Sequence, residues 1–173
     1  VDRLDLKRAA QDIEGFIAGL QLEIDIAVAG TADVTRLAQL TQRTNQFNCS
    51  LVRCDEESLR QQLADPAVHL LTVRVRDRFG DYGLVGMMRG REQASALVVD
   101  LFMLSCRALG RGVEHRMANH LGLLAERRRL AEVAIEFVGG ERNTPARQFV
   151  EDLVGSSVVA DGRHPVGSGA ARD

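Results

Sequence analysis

Residues 98–114, VVDLFMLSCRALGRGVE, place a thiol beside a glycine turn at the start of a helical pattern. An apolar run rich in β-branched and aromatic side chains stops just before Cys106, and Gly110 and Gly112 follow. This order predicts a strand, a turn and a helix. Such a turn directs free backbone N–H groups of a helix N-terminus at one spot, which attracts a phosphate or a developing oxyanion. The alternative is that the glycines only permit a positive φ.

The elements that must position this turn alternate between helical and strand patterns. The order is β, α, α, β, β, β, α, β, α, with an antiparallel run in the middle. Strands are predicted at 22–28, 69–75, 82–88, 94–104 and 131–138, and helices after Thr31, at 56–64, from Val113 and at 144–154. We expect a lead-in helix within 1–20, one domain over 21–155 and a disordered tail over 156–173.

Composition restricts the classes of function. The 173 residues suit one domain, with 45% hydrophobic and 27% charged residues. A formal net charge of −2 gives no general attraction to nucleic acid or to an anionic membrane, and no apolar run approaches the roughly 18 residues of a membrane span. Three cysteines without zinc-site spacing predict no metal and a reducing cytoplasm.

A polar segment at residues 41–48, TQRTNQFN, directly follows an apolar helix face. Only Phe47 interrupts its run of Thr, Gln, Arg and Asn side chains. These residue types are typical of a solvated loop. Residue chemistry alone therefore favours a solvated loop, and the lining of a polar cleft is the alternative.

Two patterns carry a resemblance to a known fold. An R-x-x-G-x-G string at 107–112 follows the fourth strand, and an N-x-x-A-x-x-F string at 143–149 follows the fifth. With this element order, the chain resembles the GNAT N-acyltransferases. This resemblance implies an α/β (α+β) fold whose mixed, mostly antiparallel central sheet is flanked by helices.

Longer strings are similar to a narrower group. TQRTNQFN, RVRDRFGDYGLVG and LSCRALGRGVE resemble the C-terminal acyltransferase-like domain of FkbH-type proteins, over most of residues 20–155. The resemblance implies transfer of a glyceryl unit, from 1,3-bisphosphoglycerate, to the phosphopantetheine of an acyl carrier protein for polyketide extender units. In that family a HAD-like phosphatase domain with a DxDxT motif comes first. No such string occurs here, so the lead-in helix would connect to a fused or lost HAD-like partner.

The resemblance also implies roles for individual residues. Cys106 is the candidate acyl-bearing nucleophile, since its strand would run beside the acyl thioester; the alternative is a buried structural cysteine. His115 is a candidate general base, or else a packing residue. The pantetheine site would comprise Leu104, Ser105, Arg107, Gly110, Arg111, Gly112 and Asn143. The acyl pocket would comprise Thr41, Asn45, Gln46 and Asn48, with Arg78 among the arginines for a phosphate.

Two departures from the GNAT pattern bear on the cofactor. Val150 follows Phe149 where N-acetyltransferases often place a tyrosine general acid. The glycine turn aligns in two registers, and one of them puts Glu114 where the diphosphate of coenzyme A would lie. That register favours a carrier-protein phosphopantetheine over coenzyme A. A non-catalytic domain that docks the carrier protein and an acetyl-coenzyme A N-acetyltransferase are the alternative functions.

Overall fold

The computed structural model describes residues 15, 18–19 and 21–154, and the backbone of 162–167. The strands are β1 (Glu23–Val28), β2 (Val68–Asp77), β3 (Gly80–Gln93), β4 (Ala96–Leu104), β5 (Glu132–Phe137) and β6 (Gly162–Gly167). After a 3-10 turn at Thr31–Asp33, the helices are α1 (Val34–Arg43), α2 (Glu56–Ala64), α3 (Val113–Arg127) and α4 (Thr144–Val154). Most of the predicted lead-in helix and most of the predicted tail lie outside the described residues, and β6 falls within the range predicted as tail.

The six strands form one sheet in chain order. All neighbours are antiparallel except β4 and β5, which are parallel because α3 connects them. The predicted mixed, mostly antiparallel sheet with flanking helices is therefore confirmed.

Apolar side chains cover the sheet on both faces. One core contains Met117 and Leu121 of α3 and Phe149 of α4, and the other contains Leu37 of α1 and Leu59 of α2. Strand β4 lies between these layers, so its alternate residues enter both cores. Burial on both faces explains why its sequence is apolar apart from Asp100 and does not alternate.

Strands β4 and β5 pair over only part of their length. Their parallel ladder ends where Val99 lies opposite Ile135. Beyond that point residues 47–49, the inserted segment, lie between the two chains. Cys49 donates its N–H to the Phe102 carbonyl at 3.0 Å, and its own carbonyl accepts from Val138 N–H at 2.7 Å. The inserted segment thus satisfies backbone groups that the diverging strands would leave unpaired.

Side chains fix the inserted segment in place. Phe47 is buried against the rings of Phe102 and Phe149, at centroid distances of 5.9 and 5.3 Å. Asn143 is fully buried and donates its Nδ2 protons to the carbonyls of Asn48 (3.2 Å) and Val138 (2.8 Å). One amide side chain therefore fastens the inserted segment to the end of β5.

The substitution Asn143→Ala tests this fastening. We expect it to lower the free energy of unfolding by about 2–4 kcal/mol, because it leaves buried carbonyls and the Gly140 N–H without the partners they now have. Equilibrium urea denaturation measures the change. Asn119→Ala, on the exposed face of α3, is the matched control and should change the free energy by less than about 0.5 kcal/mol. Equal effects of the two substitutions would contradict the assigned role of Asn143.

Candidate functional site

A cleft of about 620 Å³ lies at the C-terminal end of β4. One wall is a face of α1, the second is the loop of residues 44–47, and the third is the chain at 104–107 that leaves β4. The volume is within the range of small-molecule sites. The cleft thus joins the turn that the sequence singled out to part of the polar segment.

Cys106 lies on the wall of this cleft and its residue is exposed. It is held at the start of a tight turn, in which Ser105 donates its N–H to the Val85 carbonyl at 2.7 Å and accepts from Ala108 N–H at 3.0 Å. The other cysteines are buried. Burial raises the pKa of the Cys49 thiol to about 12 and also raises the pKa of Cys54. Cys106 is therefore the accessible thiol of the three, and not a core cysteine.

The polar segment divides between cleft and core. Asn45 and Gln46 line the cleft, whereas Thr41 and Asn48 are fully buried. Thr41 Oγ1 accepts from Cys54 N–H at 3.0 Å, and Asn48 Oδ1 accepts from Leu51 N–H at 3.0 Å. Two of the four predicted acyl-pocket residues thus face the cleft, and the other two hold the loop in shape.

Arg53 braces the same loop, a role that the sequence reasoning missed. Its guanidinium donates to the carbonyls of Thr41 and Thr44 and to Asn45 Oδ1. These contacts fix the side of the loop that presents Asn45 to the cleft. The sequence signal was weak, since an arginine between two apolar residues and a cysteine has no pattern that predicts carbonyl binding.

The glycine turn has the backbone geometry expected from its sequence. Gly110 and Gly112 have φ values of 78° and 80°, in the left-handed region that favours glycine, and Gly112 is the N-cap of α3. Glu114 follows in the first turn of α3 and is 8% exposed, with no hydrogen-bond partner for its Oε2. A carboxylate here complements the positive end of the helix and repels a second anion.

Arg111 of this turn is already engaged elsewhere. It donates to Asp77 Oδ2 at 2.9 Å, and its guanidinium lies 4.9 Å from the centroid of the Tyr82 ring. Burial opposes the ionisation of Asp77, but hydrogen bonds from Phe79 N–H and the Tyr82 hydroxyl outweigh it, so the pKa of Asp77 lies below its usual value. Arg111 therefore ties the turn to the β2–β3 hairpin.

Three other predicted site residues lie away from the cleft wall. Arg78 lies at the β2–β3 turn with its guanidinium 4.6 Å from the centroid of the Phe79 ring. Asn143 is buried under the inserted segment, as described above. The half-exposed His115 packs edge-on against Phe149 at a centroid distance of 5.3 Å. The structure brings together Cys106, Ser105, Arg107, Leu104, Asn45 and Gln46 from the predicted set.

Leu104 lines the cleft, but its backbone N–H is not free to bind a ligand. Its N–H donates to the Phe47 carbonyl at 3.0 Å, and the Ser105 N–H is bound to Val85. The resemblance to GNAT proteins implies that a thioester lies beside the edge of β4. In this structure that edge is hydrogen-bonded to the inserted segment. The backbone N–H groups of Leu104 and Ser105 are therefore not available to a ligand in the cleft.

Two arginines of α1 belong to the cleft and were not among the predicted site residues. Arg36 and Arg43 lie on either side of Leu40, all three on the wall. Their spacing of three to four residues puts them on one helix face. Their spacing is visible in the sequence, but arginines are ordinary on the solvated face of an amphipathic helix, so the spacing alone does not predict a cleft.

Metal chemistry and a membrane span find no support in the described residues. No cluster of three or more His, Cys, Asp or Glu side chains there has the arrangement to hold a metal ion. No helix within the described ranges combines the length and apolar character of a membrane span.

Comparison with known proteins identifies the fold. No protein-family model and no curated protein matches the chain. Among solved structures, a ribosomal-protein-alanine N-acetyltransferase from Brucella melitensis biovar Abortus 2308 is similar, with a TM-score of 0.60, 23% identity, and coverage of 81% of this chain and 94% of that one. The PaiA N-acetyltransferase of Thermoplasma acidophilum, in complex with coenzyme A, is also similar, with a TM-score of 0.58 and 12% identity. The match covers 75% of this chain and 87% of that one.

Rv2747 of Mycobacterium tuberculosis, in complex with coenzyme A and NLQ, gives a TM-score of 0.51 and 17% identity over 64% of this chain. The chain spans 63% of the length of that protein. At these identities the similarity shows the fold alone. The chain has the fold of the GNAT acetyltransferases, as the sequence resemblance implied.

The exposure of one thiol predicts selective alkylation. Under native conditions iodoacetamide should modify the protein once, at Cys106, because Cys49 and Cys54 are buried and their thiol pKa values are raised. In denaturant all three cysteines should react. Intact-mass and peptide-mass analysis measures both states, and Cys106→Ser should abolish the native modification. Native labelling of Cys54 at a comparable rate would contradict this account of the cleft.

Proposed function

We propose that this chain is an acyltransferase in which Cys106 accepts an acyl group within the cleft. The observation that carries the proposal is the accessible Cys106 thiol at the C-terminal end of β4, facing the polar side chains of Asn45 and Gln46. The fold supports acyl transfer in general, because similar structures include N-acetyltransferases, one of them with coenzyme A bound. Three unpaired cysteines suit a reducing compartment such as the cytoplasm.

The specific reaction we propose is transfer of a glyceryl unit to the phosphopantetheine of an acyl carrier protein. The strings that resemble FkbH-type proteins support it, and so do Asn45 and Gln46, whose amides suit a polyhydroxylated acyl group. The buried carboxylate of Glu114 in the first turn of α3 favours a carrier's single phosphate over the diphosphate of coenzyme A. A HAD-like phosphatase domain is the partner that would act before this one.

The chemistry requires two substitutions at one carbonyl carbon. The Cys106 thiolate attacks the carbonyl of an activated glyceryl donor, the bond to the leaving group breaks, and the thiol proton passes to solvent or to that group. The carrier's pantetheine thiolate then attacks the resulting thioester and releases Cys106 as a thiolate. Arg107 and the polar side chains of the cleft are the groups placed to stabilise negative charge on the carbonyl oxygen.

Acetyl-coenzyme A-dependent N-acetylation is the second candidate, favoured by the names of the similar structures. It transfers the acyl group directly to an amine and needs no thiol. Two observations speak for the first candidate instead. Val150 stands beside Phe149 where a tyrosine acid is often found, and the inserted segment pairs with the β4 edge.

An acyl adduct tests the proposal. The protein is incubated with a synthetic glyceryl thioester of N-acetylcysteamine, with or without phosphopantetheinylated carrier protein, and intact masses are recorded. Wild type should gain a glyceryl group that the carrier removes, while Cys106→Ala should form no adduct and transfer at least about 10³-fold more slowly. Cys106 is exposed, so its replacement should leave the fold intact.

The same assay separates the alternatives. Protein alkylated at Cys106 is the matched control and should behave like Cys106→Ala. An adduct that survives the substitution would remove Cys106 from the mechanism. Carrier binding without adduct or turnover would favour a docking domain, and acetylation of an amine by acetyl-coenzyme A in Cys106→Ala would favour N-acetyltransfer.

A further inference from the structure

Three arginines from two walls line the cleft that contains Cys106. Arg36 and Arg43 lie on one face of α1, and Arg107 follows Cys106 in the chain that leaves β4. Arg36 is half-buried, while Arg43 and Arg107 are exposed. The charges come from separate elements, so the fold and not a local run of basic residues brings them to one cleft.

No acidic side chain offsets these charges. The residues that line the cleft include neither Asp nor Glu. Within the described part of the chain, none of the three arginines forms an ion pair, and Arg36 only contacts the Gln39 amide at 3.4 Å. Other arginines are paired with carboxylates, namely Arg60, Arg74, Arg76, Arg89, Arg91, Arg111 and Arg128. Further arginines of the described residues also lack a carboxylate partner, but these three line one cleft without any acidic residue beside them, in a chain of formal net charge −2.

The residues that line the cleft favour a small oxyanion as its ligand. Guanidinium groups bind phosphate and carboxylate through paired N–H donors. Ser105, Asn45 and Gln46 add polar groups, and about 620 Å³ is the size of a small-molecule site. The start of α3, which would otherwise compete for an anion, carries the buried Glu114. The positive region is thus on the α1 side of the turn.

We propose that the cleft binds a phosphate group through Arg36, Arg43 and Arg107, with the rest of the ligand extending toward Cys106. This assignment specifies the charged group of the ligand in the proposed acyl transfer and therefore rests on that proposed function. The phosphate could belong to the pantetheine arm, where the link to the carrier makes it a monoanionic diester, or to a phosphorylated three-carbon acid, where it is a dianionic monoester. The shared chemistry is an anionic phosphate that accepts hydrogen bonds from guanidinium groups.

Calorimetric titration of the full chain tests the assignment. The probes are inorganic phosphate, pantetheine 4′-phosphate against pantetheine, and 3-phosphoglycerate against glycerate. A phosphorylated probe should bind at least about tenfold tighter than its unphosphorylated partner, and the affinity should fall as salt is raised. Whichever pair shows the larger difference identifies the source of the phosphate.

Arginine variants locate the phosphate. Arg36→Gln, Arg43→Gln and Arg107→Gln should each weaken binding of the phosphorylated probe by about ten- to a hundredfold, as expected for loss of a charged hydrogen bond. Arg60→Gln on α2 is the matched control, because Arg60 pairs with Glu56 and does not line the cleft. It should leave binding unchanged. An equal loss in Arg60→Gln would indicate a general charge effect and overturn the assignment.

Further outcomes keep the two proposals apart. A loss confined to Arg107→Gln would place the phosphate at the glycine turn and overturn the role of Arg36 and Arg43. Equal affinity for the phosphorylated and unphosphorylated probes would overturn the whole assignment. Cys106→Ala should retain phosphate binding. Retained binding with no acyl adduct on wild type would defeat the acyl relay alone, and an adduct without phosphate preference would defeat the anion site alone.

Discussion

The backbone hydrogen bonds of residues 47–49 between β4 and β5 are the constraint on which the site depends. Parallel strands that diverge expose N–H and C=O groups to a buried space, and such groups must find partners. The inserted segment supplies them through Phe102, Leu104 and Val138. Since its residues alternate, Phe47 and Cys49 enter one core while Asn48 turns to the loop and binds Leu51 N–H. Asn45 and Gln46, directly before it, are thereby presented to the cleft.

This arrangement distinguishes two routes by which a thioester can approach β4. A pantetheine arm lying along the β4 edge would have to displace the inserted segment, break its backbone hydrogen bonds and expose the Phe47 ring. A ligand in the cleft meets Cys106 and Arg107 without any such displacement. The packing therefore leaves the Cys106 side of the cleft, and not the β4 edge, open to a ligand, independently of the glycine turn.

Local patterns in the sequence predicted the elements better than the contacts between them. The apolar run of β4, the glycines at 110 and 112 and the start of α3 were all predicted from neighbouring residues, because strand burial and positive φ are local requirements. The insertion of residues 47–49 was not predicted, because TQRTNQFN carries no strand pattern. Its partners lie in β4, more than 50 positions away in the sequence. The bond between Arg111 and Asp77 spans 34 positions and left no periodic signal. Strand β6 was missed because GRHPVG contains the glycines and proline typical of a loop.

Charge is distributed unequally on the two sides of the glycine turn. On the helix side, Glu114 adds negative charge to the positive end of α3, and Arg111 is neutralised by Asp77. On the side of the cleft, Arg36 and Arg43 of α1 and Arg107 after β4 have no carboxylate partner among the described residues. An anion is therefore drawn toward α1 and away from the helix start, although fold and glycine pattern alone point to the helix. The same cleft contains the Cys106 thiol, so in the proposed acyl transfer these arginines could position an anionic ligand beside it.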